Sequence, residues 1–166
     1  MTDFINKIIT IVLIFVMLIL APLLISYMST DMVTERLVLN EVSQFIDKVT
    51  DKGLITEYDI NDLYLGVNSH GGNYDVTIEH YQLLEEPLPD GSTKLLYVKQ
   101  DDIEQIVDGR YNMEETDEDT SVSLNVKDVV KVHVESVSMS PGRRLFWSVL
   151  RVDRGNFEFS LAGTVR

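Results

Sequence analysis

The stretch LIFVMLILAPLLISYMSTDMVTERLVLNEVSQF (residues 13–45) passes from a wholly apolar run into an amphipathic pattern without a stop signal. From Ile8 to Met28 the chain has 21 residues and no charge. As a helix, this segment would be about 31 Å long, which matches the hydrocarbon core of a bilayer. A signal peptide has an apolar core of only about 7–15 residues. The sequence therefore predicts an uncleaved transmembrane anchor, with a helix buried in a soluble core as the alternative.

Pro22 lies inside this apolar run. Because proline has no backbone N–H, it cannot donate to the carbonyl of Leu18, and we expect the helix to be kinked or loosened there. Membrane helices tolerate such a defect, so an ordinary kinked anchor is one interpretation. The other is that the local break lets the helix bend when it packs against copies of itself.

Beyond the apolar run the helical pattern continues as a single apolar face. We predict a helix-packing stripe on this face, because its residues recur at helical spacing. The stripe consists of Val38, Val42, Phe45, Ile46 and Val49. Gly53 is a typical helix stop. The sequence thus predicts one helix from Phe4 to about Asp51, of which the second half needs an apolar surface to cover it.

The remainder of the chain predicts an α+β fold, with the long helix packed on a four-stranded antiparallel sheet. Alternating apolar residues or a flanking turn indicate the strands. These segments are NYDVTIEHYQLL (73–84), TKLLYVKQ (93–100), DVVKVHVESV (128–137) and NFEFSLAGTVR (156–166). The turn PLPDGS (87–92) joins the first two as a hairpin. The predicted organisation is a transmembrane helix (1–30), its amphipathic continuation (31–52) and an acidic extracytoplasmic domain (53–166).

Three short helices are expected in that domain. The segment ITEYDINDLYLG (55–66) has Thr56 and Asp59 at the spacing of a capping box, and Gly66 would end the helix. The other two segments are DDIEQIVDG (101–109) and PGRRLFWSVLRV (141–152). Between them, NMEETDEDTS (112–121) is interpreted as a solvated acidic loop.

Charge and cysteine content exclude several classes of function. The chain has 27 acidic and 14 basic residues, and its net charge is −13. A nucleic-acid partner is disfavoured, because phosphate binding needs clustered cations. The chain has no cysteine, which excludes disulfides, thiolate metal sites and thiol catalysis. Since the segment before the apolar run is short and the acidic domain follows it, we expect a cytoplasmic N-terminus.

No motif in the sequence supports catalysis, a cofactor or a metal site. The three histidines, His70, His80 and His133, have no paired spacing and are interpreted as solvent-facing or edge residues. The segment from Asp117 to Asp128 resembles a calcium loop in spacing, with Asp119 and Ser121 at intermediate ligand positions. Its required glycine is replaced by valine. We therefore interpret it as a solvated run of charge.

One short segment reverses the acidic character of the chain. Four arginines surround two aromatic residues, and the set forms a candidate docking patch: Arg143, Arg144, Phe146, Trp147, Arg151 and Arg154. One interpretation is a helix that packs on the sheet while its arginines pair with neighbouring acids. The alternative is a surface for an acidic face of a sister subunit or for lipid head groups.

The overall plan resembles type IV pilins and pseudopilins, in which a long half-apolar, half-amphipathic helix precedes a small antiparallel sheet. The segments DFINKIITIVLIFVMLILAPLLISYMSTD (3–31), LNEVSQFIDKVTDKGLITEYDINDLYLGVNS (39–69), RLFWSVL (144–150) and FEFSLAGTVR (157–166) also resemble small TadE-like proteins of tight-adherence pilus systems. This resemblance implies a pilin-like fold and a role in pilus assembly. Its expected partners are the lipid bilayer and other pilus or membrane subunits, including copies of itself. The resemblance also implies placement in the cell membrane or a surface fibre.

Two functions remain open from the sequence. The first is a structural or assembly subunit, for which the apolar face at residues 33–49 should be only partly covered by its own sheet. The second is a membrane-anchored binding or sensing module. In that case the stripe should be fully covered and the sheet should carry a concave site.

Overall fold

The computed structural model describes residues 2–88, 92–103, 121–137, 144 and 156–166. The chain divides into two compact units, and the division falls between Arg36 and Leu37. The first unit includes residues 1–36. The second contains residues 37–138 and 156–166, and therefore the amphipathic part of the long helix together with the sheet.

The N-terminal region is helical throughout. Helix α1 spans Thr2–Phe15, a π-helical turn spans Val16–Leu20, and helix α2 spans Ala21–Lys52. The prediction of one long helix is therefore confirmed. Helix α2 ends at Gly53, which adopts a positive φ of 65° and donates its N–H to the carbonyl of Val49 at 2.9 Å. Only glycine adopts this conformation without steric cost, and this explains why the helix stops at that residue.

A π-helical turn lies just before Pro22, where the sequence leads us to expect a kinked or loosened helix. The N–H of Ala21 bonds the carbonyl of Val16, five residues back instead of four. A proline ring in a regular α-helix clashes with the carbonyl four residues before it, which here belongs to Leu18. Widening the turn just before the proline accommodates its ring while the helix continues.

The predicted four-stranded antiparallel sheet is confirmed. Its strand order is β3-β2-β5-β6, with all three pairings antiparallel. The strands are β2 (Tyr74–Pro87), β3 (Thr93–Gln100), β5 (Val129–Ser136) and β6 (Glu158–Thr164). Alternate residues of β2 and β5 are buried, as the sequence pattern indicated. One face of these strands therefore contributes to the core, and the other faces solvent.

A second, two-stranded sheet was not predicted. Strand β1 (Leu54–Thr56) pairs antiparallel with β4 (Ser121–Ser123). Each strand has three residues, too few for an alternating pattern to be recognised. The pairing places Ile55 in the core with no exposed surface. Because Ser121 belongs to β4, the proposed acidic loop ends before it.

Helix α3 spans Glu57–Ser69 and carries the predicted capping box between Thr56 and Asp59. The prediction that Gly66 ends this helix is wrong, because the helix continues for three further residues. A Cβ at Gly66 would lie 3.1 Å from Oε2 of Glu41 on α2. The glycine therefore permits the close approach of α3 to α2 and does not serve as a stop signal.

The core of the second unit lies between α2, α3 and the inner face of the sheet. Strand β6 approaches α2 so closely that a Cβ at Gly163 would overlap the side chain of Ile46 and crowd that of Thr50. The buried apolar residues are Val38, Val42, Phe45, Ile46, Val49, Ile55, Ile60, Leu63, Val67, Val76, Ile78, Ile103, Leu124, Val130, Val132, Val134 and Val165.

Several predicted elements lie outside the described residues. These are most of the segment 101–109, the loop 112–121 except Ser121, and the segment 141–152 except Arg144. The tip of the β2–β3 hairpin at residues 89–91 is likewise outside. The hairpin itself is confirmed, since β2 and β3 pair as far as Pro87 and Thr93.

Substitution of Gly163→Ala should destabilise the second unit by about 1–3 kcal/mol, because the added methyl group overlaps Ile46. Thermal unfolding of the full chain in detergent, followed by circular dichroism, would measure the change. Ala162→Val is the matched control, since residue 162 is exposed. An unchanged unfolding temperature for Gly163→Ala would contradict the close packing of β6 on α2.

Candidate functional site

The N-terminal part of the long helix exposes a continuous series of apolar side chains. Every described side chain from Asp3 to Ile19 is exposed, including Phe4 and Leu18 at 70% each. Within the described residues one helix, Asp3–Lys52, is long and apolar enough to cross a membrane. Leaving so many apolar side chains in water would cost about 25 cal/mol per Å². The surface therefore fits a single-pass membrane helix.

The helix-packing stripe has the opposite environment. Its five residues, Val38, Val42, Phe45, Ile46 and Val49, are at most 5% exposed. They are covered within the second unit, where Ile46 contacts the β6 backbone at Gly163. The expectation of partial cover concerned residues 33–49 as a whole, and there Val33 and Leu37 are 53% and 42% exposed. The five residues of the stripe themselves are not accessible to other chains.

A buried carboxylate joins the end of α2 to the start of α3. Asp59 is 2% exposed, and its two oxygens lie 2.9 Å from Nζ of Lys48 and 3.2 Å from Nζ of Lys52. The hydroxyl of Thr56 donates to the same carboxylate at 2.7 Å, and its backbone N–H does so at 3.2 Å. Burial opposes ionisation of Asp59, but these donors outweigh it and hold its pKa below the ordinary value.

A second buried polar cluster centres on His80, which is 3% exposed. Its Nδ1 lies 2.8 Å from Oδ2 of Asp102, and its Nε2 lies 3.2 Å from Oδ2 of Asp128. The interpretation of His80 as a solvent-facing or edge residue is wrong. The residue occupies the inner face of β2, in line with Val76 and Ile78, and its alternation with polar neighbours was a signal of this position.

Asp128 forms the fully buried end of this cluster. Its carboxylate accepts from the N–H of Asn125 at 2.7 Å and of Leu83 at 3.1 Å, in addition to the contact with His80. Burial favours the neutral acid, yet the hydrogen bonds from Asn125, Leu83 and His80 together lower the pKa of Asp128. Since these donors occupy its oxygens, Asp128 is not placed to serve as the last ligand of a calcium loop.

The cluster suits a structural role better than catalysis or metal binding. Asp102 and Asp128 approach opposite nitrogens of the His80 ring, so the three side chains do not converge on one point. Neither nitrogen is left for a substrate. In the part of the chain that the structure describes, no group of three or more His, Cys, Asp or Glu side chains could hold a metal ion. The cluster connects β2, the residues after β3 and the residues before β5.

The other two histidines lie apart from this cluster. His133 on β5 is partly exposed, and its Nδ1 lies 2.9 Å from the hydroxyl of Ser160 on β6. His70 follows α3, and its Nε2 is 3.6 Å from a carboxylate oxygen of Glu41. The structure therefore does not bring the three histidines together.

Of the candidate docking patch, the structure describes only Arg144, which is exposed. The other five members, Arg143, Phe146, Trp147, Arg151 and Arg154, lie outside the described residues. The patch therefore stays a prediction from sequence. Pro22, the predicted helix kink, is exposed next to the π-helical turn.

Comparison with protein families, curated proteins and solved structures finds no match to this chain. The resemblance to pilins and TadE-like proteins therefore stays a hypothesis that rests on the residues and on the arrangement of the helix and sheet.

Replacing Asp128→Asn should destabilise the protein by about 1–3 kcal/mol, because an amide cannot accept from all three donors that bond the buried carboxylate. Thermal unfolding of the full chain in detergent would record this loss. Asp75→Asn is the matched control, since Asp75 is exposed on the same strand as His80. Equal effects of the two substitutions would contradict a structural role for the cluster.

Stability should fall in acid because the pKa values of Asp59 and Asp128 are lowered in the folded state. A group with a depressed folded pKa contributes stability above its unfolded value, which is about 3.9, and loses it as pH falls through the folded value. The unfolding temperature should therefore drop progressively below about pH 4. Asp59→Asn should reduce this pH dependence, and an unchanged profile in that variant would contradict the assignment.

Proposed function

We propose that the protein is a single-pass, membrane-anchored structural or assembly subunit, similar to the pseudopilins of a tight-adherence pilus or a related secretion apparatus. Its partners are the bilayer and other subunits, including copies of the same chain. In this proposal the short N-terminus is cytoplasmic, and the acidic α+β domain is extracytoplasmic or incorporated in a surface fibre.

The observation that carries this proposal is the contrast between the two parts of one helix. Residues 3–19 expose all their described side chains, whereas the stripe from Val38 to Val49 is covered by the chain's own sheet. The backbone N–H and C=O groups inside such a helix already form hydrogen bonds with one another. Its exposed apolar side chains therefore need lipid or other apolar helices around them. A domain with its own core, preceded along the chain by a helix whose apolar side chains are exposed, is expected of an anchored assembly subunit.

The distribution of charge supports the proposed orientation. The segment before the apolar run contains only Asp3 and Lys7, so its removal leaves 26 acidic and 13 basic residues in the remainder. The acidic second unit would be repelled from the anionic cytoplasmic leaflet. Placement of residues 1–7 on the cytoplasmic side and of the acidic domain outside agrees with this distribution of charge.

A membrane-anchored binding or sensing module is the second candidate, and two observations favour it. The five residues of the stripe are buried within the second unit, as that function requires of them. In addition, α2 and α3 border a polar cleft of about 320 Å³, within the size range of small-molecule sites. The cleft is lined by Glu41, Gln44, Phe45, Lys48, Asp59, Asp62 and Leu63. It lies between helices and not on the sheet.

Single cysteines placed from Ile8 to Ile19 should distinguish the two functions, since the chain has no cysteine of its own. In isolated membranes, an assembly subunit should give self-adducts at positions that share one helical face. Leu65→Cys is the control, because that side chain is 73% exposed on α3. Membrane-bound protein without any self-adduct would favour the binding module. Recovery of the chain in the soluble fraction would contradict the anchor itself.

A further inference from the structure

The β2–β3 hairpin extends beyond the rest of the sheet. Strand β2 pairs with β5 only from Tyr74 to Tyr81, whereas its pairing with β3 continues to Pro87. Strand β3 is an edge of the four-stranded sheet, since β2 is its only neighbour there among the described strands. An edge strand presents backbone donors and acceptors that can pair with another strand.

The hydrogen-bond register shows which β3 residues face that edge. The N–H of Leu88 donates to the carbonyl of Ser92 at 2.8 Å. In an antiparallel ladder, hydrogen-bonded and non-hydrogen-bonded pairs alternate, so every second pair counted from Leu88 and Ser92 is hydrogen-bonded. The backbone groups of Leu96 are therefore hydrogen-bonded to those of Leu84 on β2. The backbone groups of Leu95 and Tyr97 point away from β2. The N–H of Leu83 reaches Asp128 on the β5 side, which agrees with this alternation.

Three consecutive apolar side chains of β3 are exposed at this edge. They are Leu95 at 59%, Leu96 at 43% and Tyr97 at 50%. Leu95 and Tyr97 project to one face of the hairpin and Leu96 to the other, because successive strand residues alternate. A strand that is apolar on both faces and forms an edge needs a partner or a protective charge.

Each lysine of β3 lies near an acidic residue of β2. Lys99 lies 3.5 Å from a carboxylate oxygen of Glu79, and Lys94 is the cross-strand partner of Glu86. The middle of the strand, from Leu95 to Val98, carries no charge. Its chemistry therefore favours an apolar, uncharged stretch of strand over an acidic peptide, and residues 95–98 of a second β3 meet that description.

We propose that β3 pairs antiparallel with β3 of a second copy of this chain, with the two-fold axis at Leu96. This register places Leu95 opposite Tyr97 of the second copy on both sides of the axis, and the two Leu96 side chains opposite each other. Lys94 then faces Val98, so no lysine lies opposite a lysine. The backbone groups of Leu95 and Tyr97 that point away from β2 form the new hydrogen bonds, and two four-stranded sheets become continuous.

This contact names the self-association surface of the proposed assembly subunit and rests on that proposal. Anchoring in one membrane confines the copies and raises their effective concentration, which a short strand contact requires. The contact uses a surface separate from the stripe, which the chain's own sheet already covers.

Cysteine crosslinking of the full chain in membranes tests the contact. Directly opposed residues in an antiparallel pair lie within disulfide distance, so Leu96→Cys should form a disulfide-linked dimer under mild oxidation. Val137→Cys is the matched control, because Val137 is 59% exposed outside the strands.

Adding Leu95→Pro to Leu96→Cys should abolish the dimer while sparing the hairpin, since the N–H of residue 95 points away from β2. Leu95→Lys should act similarly with no backbone change.

A Leu96→Cys dimer that both second substitutions remove would support the proposal. Absence of the dimer in membrane-bound protein, adducts only with other proteins, or equal dimer from Val137→Cys would overturn it. Fractionation of the same samples distinguishes two negative results. Protein in the membrane pellet without the dimer contradicts the β3 contact, whereas protein missing from the pellet contradicts the proposed membrane anchor.

Discussion

The structure depends on one constraint, which is that apolar side chains on a fully formed helix must be covered by something. From Thr2 to Lys52 the backbone bonds internally in α-helical or π-helical turns, so only its side chains distinguish one part from another. The sheet covers Val38 to Val49, whereas no described side chain from Asp3 to Ile19 is covered. Lipid can supply this cover, since the peptide groups in the interior of the helix are already paired.

The second unit is held together by close packing and by two buried carboxylates. Because Gly163 has no side chain, β6 packs directly against Ile46 and helps to bury the stripe. Asp59 connects α2 to α3 through two lysines, while Asp128 and His80 connect β2 to the residues before β5. These polar contacts hold neighbouring helices and strands in one relative position. Apolar packing alone is less specific about that position. Strand β3 has a different character, because it offers uncovered apolar side chains at an open edge.

Features with a regular period could be predicted from the sequence, whereas features that depend on long-range contacts could not. The spacing of Val38, Val42 and Val49 identified the stripe, and alternation identified the strands. Gly66 was misread because only the folded structure shows Glu41 against it. His80 was interpreted as a solvent-facing or edge residue, because its partners Asp102 and Asp128 are 22 and 48 residues away in the sequence. Strands β1 and β4 were too short to recognise.

The central claim is tested most directly by spin labels placed singly along residues 8–28 of the chain in lipid vesicles. Collision rates with oxygen and with a water-soluble nickel complex report whether each position faces lipid, water or protein. The account predicts that oxygen accessibility is greatest near the middle of the segment, around Leu18, and that nickel accessibility is lowest there. High nickel accessibility throughout, or protection from both reagents on every face, would contradict a lipid-spanning helix.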